Sequence, residues 1–351
     1  MSRLLARLRD PRRLLLLAAL YPAGWLAALL AVAYAASRSR PEVDEPVMPV
    51  PPTVLPPARI VAVPEVGEVF VRDTEAGPAR PDPARPDADP SRPVILLLHG
   101  WMLPADANWY TCYGPLSELG RVIAVDHRGH GRGLRPAAPF RLADAADDVA
   151  ALLRHLGVGP VVAVGYSMGG PIAQLLWQRH PGLVRGLVLC ATSATFNVSL
   201  RDRWTWRLMG ALQLTLRLVP RHWWERILAG QAKGSRLRIS RLMTAQTPPE
   251  VAALLPWIVS ELDRGSAEDV AEAGRELSRF DARGWVGSID VPAAVLITTS
   301  DALVPERNQR DLAARIPRAF VAELALDHDG VVTHPDEFVP VLRKAVEQVL
   351  G

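Results

Sequence analysis

One stretch, residues 161–170, constrains the fold of this chain more than any other. Four apolar residues at 161–164 precede the pentapeptide Gly-Tyr-Ser-Met-Gly, and a helical pattern continues to about residue 179. This order predicts a buried strand, a sharp turn and a helix, with Ser167 at the apex of the turn. So tight a turn strains the backbone of the serine, and its neighbours must be nearly free of side chains, which the two glycines of the pentapeptide provide.

The turn has two interpretations. It is a nucleophile elbow, which lifts the Ser167 hydroxyl above the edge of a sheet and directs the next backbone N–H groups towards the same point. Alternatively, it is an ordinary Gly-Ser turn in a Rossmann-like unit. The pentapeptide is compatible with both, so the rest of the chain has to decide between them.

The first 58 residues have the pattern of a membrane-attached segment. Residues 1–13 contain five arginines and one acid, and residues 14–36 contain no charge over a length that spans a bilayer as a helix. The arginine excess predicts a cytoplasmic N-terminus and a single-pass anchor, with the rest of the chain on the extracytoplasmic side. Proline-rich residues 37–58 predict a semi-rigid spacer. A signal peptide cleaved near residues 31–35 is the alternative, and it would give a secreted protein.

Composition argues against several kinds of site. The 351 residues are 49% hydrophobic, which is enough for one large α/β domain and appendages. A net charge of +3 gives no basis for a general affinity for nucleic acid. The two cysteines, Cys112 and Cys190, have neither metal-site spacing nor a disulfide framework. We therefore expect no metal and no cofactor.

Short apolar runs alternate with helical patterns over the rest of the chain. The predicted strands are 59–63, 68–72, 94–98, 121–125, 161–164, 186–191, 293–298 and 319–326, and the first two read as a hairpin. Predicted helices cover 141–156, about 170–179 and about 336–349. Continuous apolar strands between helices indicate an α/β fold with a buried parallel sheet and helices on both faces.

Five motifs follow predicted strands in a fixed order. They are His99-Gly100, Asp126-His127-Arg128-Gly129-His130-Gly131, the pentapeptide around Ser167, Asp301-Ala302-Leu303-Val304-Pro305, and His328 ahead of Pro335. Together they resemble the α/β-hydrolase superfamily, in its AB hydrolase-1 branch, over about residues 59–351. The resemblance implies a mostly parallel, eight-stranded sheet with a helical cap inserted at about residues 193–285, here called the cap segment.

The resemblance also implies a role for each site residue. Ser167 is the implied nucleophile, and it needs an adjacent base because a serine hydroxyl at its free pKa is a poor nucleophile. His328 is the implied base, and Asp301 would orient its imidazole. The backbone N–H groups of Trp101 and Met168 are the implied oxyanion donors. The implied reaction is hydrolysis of carboxylic esters, lipid esters included, through an acyl-enzyme.

Competing interpretations of these residues remain open. Asp301 could be a turn residue or a helix cap, because a proline and a helix follow it. His334 competes with His328 as the base. The departures from the family pattern, Gly133 and the run Thr298-Thr299-Ser300, are expected not to touch the triad.

The histidines of the first two motifs raise the question of a metal site. His99, His127 and His130 match no ligand spacing, and the resembled family uses these positions to shape loops. We therefore expect them to be structural.

Other reactions use the same triad. They are carbon–carbon bond hydrolysis, cofactor-free perhydrolysis and acyl transfer. A non-catalytic binding module on the same fold is a further alternative, against which the intact triad argues. A serine nucleophile also argues against dehalogenase and epoxide-hydrolase chemistry.

The cap segment is rich in tryptophan and arginine. Residues 201–241 contain ten Lys or Arg and two acids. The tryptophans of the segment are Trp204, Trp206, Trp223, Trp224, Trp257 and Trp285. This composition is typical of a helix at a membrane interface, but it equally suits tryptophans packed inside beneath a solvated arginine face.

Overall fold

The predicted apolar runs form one eight-stranded sheet in the computed structural model, which describes residues 51–75, 92–198, 249–265 and 267–351. The strands are β1 (Ala58–Val63), β2 (Gly67–Asp73), β3 (Val94–Leu98), β4 (Arg121–Val125), β5 (Val161–Tyr166), β6 (Val184–Cys190), β7 (Ala293–Thr298) and β8 (Phe320–Leu324). Every predicted strand is confirmed, with small shifts at some of the ends.

The sheet is parallel except at one edge. Its strand order is β1-β2-β4-β3-β5-β6-β7-β8. Strand β2 runs antiparallel to both β1 and β4, which confirms the predicted hairpin, and all other neighbours are parallel. The carboxyl ends of β3, β5, β7 and β8 therefore meet along one edge, where ligands bind in open α/β sheets.

Helices cover both faces of the sheet. They are α1 (Ala105–Trp109), α2 (Tyr113–Ser117), α3 (Leu142–His155), α4 (Gly169–Arg179), α5 (Pro249–Ala253), α6 (Leu255–Leu262), α7 (Ala267–Arg279), α8 (Glu306–Arg315), α9 (Gly330–Thr333) and α10 (Pro335–Leu350). Leu96 and Leu98 of β3 pack in one core cluster with α3 and α4. Ile95 and Leu97 pack in the other cluster, with α1, α2 and α10. Because both faces are covered, the strand sequences are continuously apolar.

The described part of the cap segment contains helices α5, α6 and α7. Trp257 of α6 is 3% exposed and contacts Tyr110 edge to face, and Trp285 stacks on Trp177. Interior packing is therefore the correct interpretation for Trp257, and Trp285 is partly buried and packs against the core. The other four, with the arginine-rich stretch around them, lie outside the described residues.

The predicted cytoplasmic segment, the anchor and the start of the spacer also lie outside the described residues. Within the described ranges, we find no helix with the length and apolar character needed to cross a membrane. The end of the spacer lies against β2. Arg72 Nη1 donates to the carbonyl of Pro56 at 2.6 Å, and the Asp73 N–H donates to the carbonyl of Pro57 at 3.3 Å.

Candidate active site

The turn between β5 and α4 has the strain that its sequence predicts. Ser167 has φ 50°, in the left-handed region that a residue with a Cβ seldom adopts. A Cβ at Gly165 would lie 2.3 Å from the carbonyl oxygen of Gly169, and one at Gly169 would lie 2.0 Å from that of Leu98. The Ser167 N–H donates to the carbonyl of Cys190 at 2.9 Å. These contacts identify the turn as an elbow rather than an ordinary Gly-Ser turn.

The three predicted triad side chains form one hydrogen-bonded chain. Ser167 Oγ lies 2.9 Å from His328 Nε2, and His328 Nδ1 lies 2.7 Å from Asp301 Oδ2. Because the carboxylate accepts the proton of Nδ1, Nε2 is left to accept the Ser167 hydroxyl proton. The residues follow β5, β7 and β8, so the parallel sheet brings together side chains that are far apart in sequence.

Asp301 is both a turn residue and a partner of the histidine. Its Oδ1 accepts the N–H groups of Leu303 and Val304 at 2.9 Å and 2.7 Å, as a turn-forming aspartate does. Its Oδ2 accepts from His328 and also from the Thr298 hydroxyl, at 2.8 Å. The two interpretations of Asp301 therefore describe the two oxygens of one carboxylate. The expectation that Thr298 does not touch the triad is wrong.

Gly133, the other departure from the family pattern, is sterically required. A Cβ at this position would lie 2.2 Å from the carbonyl oxygen of His127. A serine would therefore not fit here without a shift of the backbone, and Gly133 has no contact with the triad in the hydrogen bonds described.

Gln309 of α8 is a positioning residue that the sequence analysis missed. It is fully buried, and its Nε2 donates to Asp301 Oδ2 at 3.1 Å and to the carbonyl of Val304 at 2.8 Å. Its Oε1 accepts the N–H of Thr298 at 3.0 Å. One sequence signal could have identified Gln309. It is a polar residue on the buried face of the helix that follows Asp301.

The loop that carries His328 is fixed at two points. The Tyr166 hydroxyl donates to the carbonyl of His328 at 2.6 Å, which ties this loop to the residue before the nucleophile. Asp327 Oδ1 accepts the N–H of His328 at 2.7 Å and that of Ala302 at 3.0 Å. The Asp327 carboxylate therefore connects the His328 loop to the loop that carries Asp301. His334 instead contacts Thr333 Oγ1 through Nδ1 at 2.9 Å. The geometry therefore favours His328 over His334.

The two residues predicted to supply the oxyanion donors, Met168 and Trp101, lie on the segments next to Ser167. Met168 is fully buried, and its N–H donates to no acceptor within the described ranges. It precedes α4, whose N-terminus adds a favourable potential for negative charge. Trp101 follows Gly100, and a Cβ at Gly100 would lie 3.4 Å from the Cβ of Ser167. The loop after β3 therefore passes directly beside the nucleophile.

His99, His127 and His130 form a buried cluster behind this loop. The ring of His99 lies 4.3 Å from that of His127 and 5.5 Å from that of His130, between centroids. His99 Nδ1 donates to the carbonyl of Gly100 at 2.8 Å, and its Nε2 accepts the N–H of His127 at 2.9 Å. No three or more His, Cys, Asp or Glu side chains are arranged to hold a metal ion in the described parts of the chain. The cluster joins the loops after β3 and β4.

Burial disfavours the charged form of these histidines. Loss of solvation, followed by the neighbouring histidines, lowers the pKa of His127 to about 3 and that of His99 well below its usual range. Burial also lowers the pKa of His130 to about 4. Asp126 lies in the same motif, and burial raises its pKa to about 6.

We predict that acidification destabilises the fold through this cluster. Below the ordinary histidine pKa of 6.5, the unfolded chain binds protons that the folded histidines do not. The free energy of unfolding therefore decreases as the pH is lowered. Asp126 has the opposite effect, because only the folded chain binds its proton between pH 3.8 and about 6. Three histidines outweigh one aspartate, at up to about 1.4 kcal/mol per group and pH unit.

The measurement is urea unfolding at about pH 7.5 and about pH 5, where we expect a lower midpoint at the lower pH. His127→Leu is the matched variant, because neither ring nitrogen of His127 has a hydrogen-bond partner among the residues described. The variant should show a weaker pH dependence. Equal midpoints for the wild-type protein at both pH values would contradict the assignment.

We also predict that Gln309→Leu lowers kcat with little change in KM. The substitution removes a donor that fixes the Asp301 carboxylate beside His328, and a misplaced carboxylate stabilises the imidazolium of the transition state less well, so a loss of roughly 10-fold in kcat is expected. Gln174→Leu is the control, because Gln174 is equally buried but makes, with the described residues, only a 3.4 Å contact to the carbonyl of Ser193. Equal kcat for the two variants, measured with a soluble ester, would show that Gln309 does not act through Asp301.

Comparison with known proteins places this architecture in a family. The sequence model of the alpha/beta hydrolase fold family matches residues 93–335. The chain is 32% identical over 271 residues to a pimeloyl-[acyl-carrier protein] methyl ester esterase of Chromobacterium violaceum, which covers 73% of this chain and 94% of that protein.

Two crystal structures, both below 25% identity, show the same fold. The enol-lactonase from Burkholderia xenovorans LB400 is 23% identical, with a TM-score of 0.64 over 82% of this chain and 100% of that one. A protein described as a membrane phospholipase A is 22% identical, with a TM-score of 0.65 over 100% of both chains. The protein is an enzyme of the alpha/beta hydrolase fold family.

Proposed function

We propose that the enzyme hydrolyses carboxylic esters through a covalent acyl-enzyme on Ser167. The observation that carries this proposal is the hydrogen-bonded chain from Asp301 through His328 to Ser167, with the serine at the apex of a strained turn. The named activities of the relatives support it, since they include a methyl ester esterase and an enol-lactonase.

Each group has a step in the proposed reaction. His328 Nε2 takes the hydroxyl proton of Ser167 as Oγ attacks the carbonyl carbon of the ester. The carbonyl oxygen becomes an oxyanion, to which the N–H groups of Trp101 and Met168 donate. The imidazolium then gives its proton to the departing alcohol, which leaves an acyl-enzyme. Water, deprotonated by the same imidazole, attacks the acyl carbon and releases the acid and free Ser167.

Asp301 makes His328 an effective base. By accepting the Nδ1 proton, the carboxylate holds the ring in the tautomer whose Nε2 faces Ser167, and it stabilises the imidazolium that forms. Thr298, Gln309 and two backbone N–H groups donate to the same carboxylate. These donors fix its position, so the acid does not have to reorient during the reaction.

We propose esters with an apolar acyl group, lipid esters included, as the substrate class. Two large apolar side chains stand exposed on the loops of the site, Met102 beside Trp101 at 46% and Leu303 beyond Asp301 at 72%. Exposed apolar side chains on the loops that carry the candidate site favour contact with an apolar substrate. The likeness to a protein described as a membrane phospholipase A agrees with this class.

The alternative reactions on the same triad differ in their products. Carbon–carbon bond hydrolysis would require cleavage of a β-diketone-like substrate, perhydrolysis would yield a peracid, and acyl transfer would yield a new ester. Product analysis with one ester in water, with and without an added alcohol or peroxide, separates them.

We predict that Ser167→Ala abolishes labelling by a fluorophosphonate probe, because the probe reacts with an activated serine hydroxyl. The variant should also lose at least about 10³-fold in kcat, with an unchanged circular dichroism spectrum. Labelling that persists at another residue would contradict the assignment.

The two histidines provide a matched pair for the same assay. His328→Ala should reduce kcat by on the order of 10³-fold or more, because Ser167 then lacks its base. His334→Ala should retain near wild-type activity, since its Nδ1 contacts Thr333. The reverse result would assign the base to the other histidine.

We also propose a domain organisation and a location. Residues 1–13 are cytoplasmic, 14–36 form a single-pass anchor, 37–58 form a spacer, and 59–351, with the cap segment, form the extracytoplasmic catalytic domain. The charge-free span, the arginines before it and the full-length likeness to a protein described as a membrane phospholipase support this proposal.

N-terminal sequencing of the protein from the membrane fraction tests the proposed anchor. We predict that the mature chain retains residues 14–36, because an uncleaved anchor stays with the domain that it carries. A mature chain that begins near residue 36 would instead identify a cleaved signal peptide and a secreted enzyme.

A further inference from the structure

The side chain of Trp101 joins the proposed oxyanion loop to helix α7 of the cap segment. Its indole Nε1–H donates to the carbonyl of Val270 at 2.8 Å. One turn further along α7, Gly274 leaves space for the ring, because a Cβ there would lie 2.9 Å from Trp101 Cζ2. The indole therefore occupies a notch in α7 that exists because residue 274 has no side chain.

The backbone next to Trp101 needs an external support. Met102 has φ 75°, a conformation that is unfavourable for a residue with a Cβ. Its side chain is 46% exposed, so its own packing does little to offset this strain. Such a conformation persists where the surroundings fix it, and the adjacent anchored indole is one such restraint.

Helix α7 is held in place by contacts with the rest of the domain. Asp269 Oδ2 pairs with Arg135 Nε at 3.3 Å, and Glu272 Oε2 accepts the N–H of Phe140 at 2.9 Å. On the inner side of the helix, Ala273 and Leu277 are buried in the core. These contacts attach α7 to the segment that follows β4, so the indole is anchored to a helix that is itself fixed.

We propose that Trp101 is a positioning residue whose indole, held by Val270 and the Gly274 notch, sets the place of its own backbone N–H beside Ser167. The proposal rests on the oxyanion role given to that N–H in the proposed function. Helix α7 then contributes to catalysis without touching the substrate. Because the oxyanion forms as the carbonyl is attacked, the contact affects kcat more than KM.

A purely structural role for the indole predicts a different result. If the ring only filled space, its loss would lower the melting temperature and the fraction of folded enzyme. The kcat per titrated active site would stay the same. The test therefore measures kcat per site, KM, and the Ki of a trifluoromethyl ketone analogue of the ester, which forms an oxyanion adduct with the serine.

Trp101→Phe keeps an aromatic ring and removes the N–H donor. We expect a loss of roughly 10-fold in kcat per site, smaller than the 10²–10³-fold loss on removing an oxyanion donor because the N–H is displaced rather than deleted. KM should change by less than about twofold, and the Ki of the ketone should rise in proportion to the loss in kcat.

Gly274→Ala tests the same contact from the side of α7. Helix propensity favours alanine over glycine inside a helix, so a structural account predicts an equal or more stable enzyme. We expect kcat per site to fall, because the new Cβ displaces the indole. Gly114→Ala in α2 is the matched control, since a Cβ there would meet nothing within 4 Å, and it should leave kcat unchanged.

The double variant Trp101→Phe/Gly274→Ala distinguishes an effect that acts through the contact between Trp101 and Gly274 from two unrelated effects. Phenylalanine lacks the Cζ2 atom that the new Cβ would meet, so the double variant should have the kcat of Trp101→Phe alone. Multiplied losses, or wild-type kcat and Ki in variants whose Ser167 still reacts with the fluorophosphonate probe, would overturn this proposal and leave the proposed function standing. A wild-type enzyme whose Ser167 does not react with the probe would overturn both.

Discussion

The close approach of the elbow to strand β3 is the constraint on which the rest of the site depends. A Cβ on Gly169 would lie 2.0 Å from the carbonyl oxygen of Leu98, so α4 begins in near contact with the end of the neighbouring strand. That packing holds Ser167 at φ 50°, with its N–H bonded to the carbonyl of Cys190. The packing of the buried sheet offsets the cost of this strained backbone conformation. As a result, the Ser167 hydroxyl lies at the carboxyl edge of the sheet.

Polar contacts connect the other loops of the site to the elbow or to one another. Tyr166 ties the His328 loop to the elbow, and Asp327 ties it to the loop of the acid. The buried histidines join the loop after β3 to the loop after β4, and Trp101 continues the connection to α7. Each catalytic loop is therefore held by groups that take no part in the chemistry, which is how such sites keep their geometry.

The strands were predictable because their signals are local, and the triad was implied by the family resemblance that the strand-end motifs carry. Continuous apolar runs identify strands, and strand-end motifs place Ser167, Asp301 and His328 at one edge of a parallel sheet. Helices α1 and α2 were missed because five residues are too few to show helical periodicity.

The supporting contacts were not predictable in the same way. Thr298 precedes Asp301 in the chain and Gln309 follows it, and both donate to its carboxylate. Trp101 donates to the carbonyl of Val270, which lies 169 residues further along the chain. A sequence signal exists for Gln309, but no local pattern specifies that Trp101 reaches α7, because that contact depends on how the helix packs against the loop after β3. Thr298 is only three residues from the acid, and it was expected not to touch the triad because the sequence does not show which way its hydroxyl points; in the structure the hydroxyl lies 2.8 Å from the carboxylate.

The most direct test of the account is to trap the acyl-enzyme. The wild-type protein is mixed with an activated ester whose acyl group is released slowly, quenched in acid within milliseconds, and mapped by peptide mass spectrometry. The account predicts that the acyl mass appears on the peptide containing Ser167, at a rate at least equal to kcat. An acyl group on another residue, or turnover without any covalent adduct, would contradict it.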